Sequence, residues 1–193
     1  MVTSDRQREI IEASLELIHA QGIQELTMKR IAAAVGVSEP ALYKHFSSKS
    51  DILSAVVDEL QATRAGALEA ARTAGGDPLA VLAAFFGTHA RQFAERPALM
   101  AVLFSDDLFR HDQALSTRVA SIISGTQEMI RGEIEKGKTA GVLRPDVGGE
   151  TAALMLAGGF RLLVSAWRLC GASFDLAERT EAFIEQALGL LRA

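Results

Sequence analysis

The residues with chemistry to offer gather between Thr27 and Asp51, in the run TMKRIAAAVGVSEPALYKHFSSKSD. Ser38 and Glu39 place short polar groups at the front of one segment. Tyr43, Lys44 and His45 follow on it, and Lys49 lies just beyond. Short polar groups first and longer donors after them suit a surface that meets base edges at one end and phosphate oxygens further along. Lys29, Arg30, Lys44 and Lys49 stand against Glu39 alone, so 27–50 carries a net charge of +3.

Those side chains need short helices to hold them. Ser4-Asp5-Arg6-Gln7 reads as a capping box. Behind it, Ile11, Leu15 and Ile18 recur at helical spacing, with Ile10, Ala13, Leu17 and Ala20 widening the stripe. Gly22 is a stop signal. Thr27 caps a second helix whose inner positions are Met28, Ile31, Ala32 and Val35. Gly36-Val37-Ser38 breaks it, and Ser38 with Pro40 predicts a third helix over about 39–46. Ser48-Lys49-Ser50-Asp51 is another capping box, opening a longer helix toward Ala71. The two short helices and their Gly-x-Ser turn make a helix-turn-helix over about 27–46. Ala32–Ala34 let the helices cross closely, and Val37, Leu42 and Phe46 are its packing residues.

The remainder is helical as well. Patterns run at about 78–95, 98–109, 112–140, 147–170 and 176–191, after a boundary at Thr73–Pro78. There is no alternating β pattern and no asparagine for a hairpin turn, so the fold class is all-α with about nine helices. The chain has 193 residues, 49% of them hydrophobic and 23% charged, which describes a folded globular protein. Its net charge of −4 excludes a polybasic nucleic-acid binder. Outside 27–50 the balance is −7, so the positive charge is local. One cysteine, Cys170, excludes an internal disulfide framework and fits a reducing compartment. The amino-terminal run lacks a signal-peptide core, and the richest apolar window, 152–167, is interrupted by Arg161. A cytoplasmic protein with no membrane partner is expected.

The combination V-G-V-S-x-x-x-L-Y-x-H-F-x-S-K, within LTMKRIAAAVGVSEPALYKHFSSKSDIL, resembles the TetR family of bacterial transcriptional regulators over about residues 5–60. That resemblance implies a DNA-binding domain at 1–50 and a helical effector-binding and dimerisation domain at 51–193. It implies a phosphate contact from Thr27 and a phosphate clamp from Tyr43, His45 and Lys49. Ser38, Glu39 and Pro40 would face the major groove, with Lys44 beside them. Glu39-Pro40 departs from the basic or polar residue and glycine common in relatives, so no operator sequence carries over. Glu39 could accept from a cytosine amino group or simply serve as a helix-start acid. The implied function is a repressor, binding a double-stranded DNA operator as a homodimer and released by a small, largely apolar effector.

Candidate effector contacts are Phe86, His89, Phe93, Met100, Phe104, Met129, Met155, Arg161 and Trp167, with Phe85 and Phe160 on the same helical patterns. Phe and Met would suit an apolar ligand, and His89 or Arg161 would orient a polar group. Candidate dimer contacts are Gly158, Leu162, Ile184, Ala187, Leu188 and Leu191, because the last two helices are more apolar than a peripheral pair needs. Two other readings stay open. A helix-turn-helix protein without an effector, architectural or acting in cell division, would carry the same motif. An enzyme would need a catalytic or cofactor motif, and no GxGxxG, HExxH or GxSxG run is present. Asp106, Asp107, His111 and Asp112 fit a solvated helix end better than a metal site, so neither cofactor nor metal is expected.

Overall fold

The computed structural model describes residues 4–103 and 112–193, apart from the side chains of Ala74, Met100 and Ala101. Phe104, Asp106, Asp107, His111 and the Met100 side chain therefore lie outside the described residues. Among the described residues there are nine α-helices and no strand. They form two compact units, one drawn from Met1–Ala62 and Arg96–Ala120, the other from Thr63–Glu95 and Ser121–Ala193.

In the first unit, α1 (Asp5–Gln21) starts at the expected capping box. The Gln7 amide donates to Ser4 Oγ, and the Ser4 amide donates to Gln7 Oε1. Ile10, Ile11, Leu15 and Ile18 form its buried stripe. A single 3-10 turn at Ile23–Glu25 leads to α2 (Met28–Val35), where Thr27 Oγ1 accepts from the Arg30 amide. Gly36 closes α2 in the left-handed region, at φ 74 and ψ 32. A Cβ there would meet nothing within 4 Å. Gly36→Ala therefore tests backbone conformation alone. Urea denaturation should show the first unit destabilised by about 1 kcal/mol, and an unchanged midpoint would contradict that.

The recognition segment is shorter than its pattern suggests, because α3 spans Glu39–Leu42. Beyond it the Lys44 amide bonds Ala41 O and the His45 amide bonds Leu42 O, both three residues back. The coil thus tightens into 3-10 geometry before Phe46 turns inward. Ser48 then caps α4 (Lys49–Ala74) by accepting from the Asp51 amide.

The first compact unit runs on into α4, to Ala62, and takes in Arg96–Ala120. The amino-terminal half of α4 is tied to later segments by a polar ladder. Ser50 bonds Asp112, and Arg118 bonds the Ser54 carbonyl and hydroxyl and pairs with Asp58. Arg96, just ahead of α6 (Pro97–Leu103), pairs with both Glu12 of α1 and Glu59 of α4. Arg118 belongs to α7 (Gln113–Thr139). Both α4 and α7 contribute residues to each unit.

The second unit is built on α5 (Pro78–Glu95), which packs along α9 (Leu176–Gly189), with α8 (Gly149–Leu169) also against α9. The five later helices begin and end within a few residues of their patterns wherever they are described. By length and composition alone α8 is long and apolar enough to cross a bilayer, but Arg161 and Arg168 lie on it. Only a third of its apolar window is buried in the chain.

Candidate functional site

The first unit offers a polar surface on a firm support. Ile31 and Ala32 of α2, Leu42 of α3 and the following Phe46 are buried. Gln7 of α1 adds a tie by donating its side-chain amide to the His45 carbonyl. Over that core, Thr27, Ser38, Glu39, Pro40, Tyr43, Lys44 and His45 are exposed and Lys49 is half-buried at the start of α4. Tyr43 leaves 49% of its surface in solvent, more than a packing aromatic should. All the expected DNA contacts but Lys49 are thus exposed to solvent.

Their hydrogen bonds leave donors available. Thr27 Oγ1 accepts at the cap and still carries its own proton. Ser38 sits at the N-cap of α3 but makes no side-chain cap bond. Arg30 is paired with Glu25. Lys29, Lys44 and Lys49 have no carboxylate partner among the described residues. Hydroxyls and unpaired ammonium groups are the groups that bind phosphate oxygens.

The second unit holds a different constellation. Phe85, Phe86 and Phe93 of α5 and Phe160 of α8 are buried around His89. The imidazole lies 4.4 Å from Phe93 in an edge-on pair, 5.2 Å from Phe85 and 6.0 Å from Phe160, centre to centre. Burial, and then the charge of Arg64, push its pKa down from 6.5 to about 4. His89 Nδ1 and Gln92 Oε1, one turn apart on α5, are shut off from solvent with no hydrogen-bond partner among the described residues. Each such group costs roughly 1–3 kcal/mol of folding stability.

Of the expected effector contacts, the structure brings together Phe86, His89 and Phe93. Met129 is half-buried on α7. Trp167 is buried at the end of α8, its indole N–H donating to the Phe174 carbonyl, which gives it a structural partner. Arg161 is exposed, and Met155 is 57% exposed, on a different part of the surface. Gln92 and Arg64 escaped the sequence reading. The available signal was a polar residue three places after His89 in an apolar helical stripe.

The expected dimer contacts also separate. Ile184 and Leu188 are buried within the chain, on the stripe of α9 that includes Leu176 and Thr180, and Leu191 is nearly so. Gly158 and Leu162 are exposed and Ala187 is half-buried. A groove of about 280 Å³ runs between Met155, Leu156, Phe183, Ala187, Leu190 and Leu191. Leu154, Leu162 and Leu169 along α8 and Leu190 just past α9 are each more than 60% exposed, so these helices show apolar surface that the described chain does not cover.

Comparison with known families places this architecture. The model for bacterial regulatory proteins of the tetR family matches residues 10–56, and that for the YsiA-like carboxy-terminal region matches 54–189. The chain belongs to the TetR family. The helix-turn-helix described above falls inside the amino-terminal region that matches the family.

The nucleoid occlusion factor SlmA of Actinobacillus pleuropneumoniae serotype 5b is 29% identical over 124 residues, 64% of this chain and 61% of that protein. This chain therefore spans less than two thirds of the length of that relative. The regulator AcrR of Shigella flexneri is 27% identical over 187 residues, covering 93% and 86% of the two chains. The structure of FadR from Bacillus subtilis in complex with stearoyl-CoA shares the fold with a TM-score of 0.79. It is 21% identical, over 94% of this chain and 97% of that one.

Proposed function

We propose that this TetR-family regulator is a cytoplasmic repressor, not an enzyme, that grips a double-stranded operator as a homodimer. Binding of a small, largely apolar ligand in the second unit releases it. The observation that carries the DNA reading is the set of unspent donors on the helix-turn-helix: Thr27, Ser38, Tyr43, Lys44, His45 and Lys49 around a buried Ile31–Leu42 core. Ser38, Glu39 and Pro40 face base edges, and the remaining residues hold phosphates.

The uncovered face of α8 and α9 supports the dimer, since an operator of two half-sites is read by a two-fold pair. A partner helix pair, and not lipid, is the proposed cover for that apolar surface. The continuity of α4 and α7 through both units supports coupling. A ligand favouring one arrangement of those helices shifts DNA affinity, and DNA shifts ligand affinity equally.

Selection of bound duplexes from a random pool tests the reading. A repeated half-site at fixed spacing is expected, and recovery of no preferred sequence would sink it. Lys49→Ala should then lower operator affinity about tenfold on preferred and mismatched duplexes alike. The slope of log affinity against log salt should fall by about 1 for each lysine removed. Unaltered binding and slope would remove Lys49 from the interface.

A second reading has its own support. The similarity to nucleoid occlusion factors over 124 residues favours a DNA-binding protein with no effector. Ligand-independent operator affinity across a broad metabolite panel would select it.

A further inference from the structure

We propose that the aromatic box around His89 receives an uncharged, largely apolar alcohol or phenol, whose hydroxyl meets Gln92 Oε1 and His89 Nδ1. The proposal rests on the second unit being the effector-binding part, and it names the chemistry of that effector.

The two atoms without a partner among the described residues belong to side chains one turn apart on α5, and Phe85, Phe93 and Phe160 surround the imidazole of the first. The rings supply walls for an apolar body. Gln92 Oε1 can only accept a hydrogen bond, so the ligand must bring a donor there. A hydroxyl donates and accepts, and so satisfies Gln92 in either tautomer of His89.

Charge narrows the class further. Arg64 of α4 is half-buried, donates from Nε to Thr126 Oγ1 at 2.9 Å, and has no carboxylate partner among the described residues. Its field reaches His89 and repels an ammonium group. A carboxylate would be drawn to Arg64 but would offer Gln92 Oε1 only another acceptor. Two glycines make room for these polar ends. A Cβ at Gly66 would stand 3.2 Å from Gln92 Nε2, and one at Gly125 would stand 3.1 Å from Arg64 Nη2.

Calorimetric titration of the full chain, without DNA, with 2-naphthol, 2-methoxynaphthalene and 2-naphthoate tests this. The naphthol should bind at least tenfold tighter than its methyl ether, which has the same body and no donor, and tighter than the carboxylate. Gln92→Leu and His89→Phe should each erase that preference while leaving the ether bound as well or better. Equal binding of naphthol and ether, tightest binding of the carboxylate, or no binding of any probe would overturn the proposal; the wild-type comparison stands even if a variant fails to fold. Operator release is measured separately. Naphthol bound with the stated preference but leaving DNA affinity unchanged would reject effector control and keep the site.

Discussion

Leu162→Glu together with Leu190→Glu should yield a folded monomer whose operator affinity is about 10²- to 10⁴-fold lower than that of the parent chain. Leu162 is 71% exposed and Leu190 is 73% exposed. Neither packs in the interior of its own chain, so glutamate at these sites removes little folded-state burial. In the proposed dimer the same patch meets itself across a two-fold axis, so each substitution appears twice and sets carboxylates in an apolar contact. The buried stripe of α9, from Leu176 through Thr180 and Ile184 to Leu188, is left intact. A monomer reads one half-site and loses the high effective concentration that a linked second reader has for the other. Circular dichroism should be unchanged, sedimentation should give a single-chain mass, and operator titration should show the loss. A dimer with parental affinity would move the interface elsewhere.

The two surfaces were unequally legible in the sequence for a physical reason. The helix-turn-helix is specified by local chemistry. Ser4 and Gln7, Thr27, Gly36 and Ser48 act within three or four residues of themselves, and each cap stands where its residue type predicts. Even there, the early end of α3 at Leu42 depends on three-residue-back hydrogen bonds that no side-chain pattern announces. Helices α8 and α9 are apolar on more than one side. Periodicity identifies a stripe on such a helix but not what covers it. Ile184 and Leu188 turn toward the chain's own core, while Leu162, Leu190 and Met155 turn outward. The polar groups of the second unit were harder still, because Arg64 of α4 meets Thr126 of α7, and Gln92 of α5 lies against Gly66 of α4, only in the folded unit. The unit boundary was hidden likewise, since Arg96 and Arg118 find their carboxylates 37 and 60 residues away.

The wild-type protein should lose about 3 kcal/mol more stability than His89→Phe between pH 7 and pH 4. The cause is the His89 imidazole, held near a pKa of about 4 when folded, first by burial among rings and then by the Arg64 charge. In the unfolded chain it returns to about 6.5. Above that value both states are neutral and His89 contributes nothing to pH dependence. Below it the unfolded chain binds a proton that the folded chain refuses, so stability falls as pH drops. The slope is about 1.4 kcal/mol per pH unit, and it levels off below the folded pKa. The phenylalanine variant keeps an aromatic ring in the box and loses the titration, so carboxylates elsewhere cancel from the comparison. Urea denaturation of both proteins at several pH values gives the difference directly, and parallel curves would place the imidazole in water. The same depression keeps His89 neutral at and around pH 7. Its ring is therefore a neutral hydrogen-bonding group there.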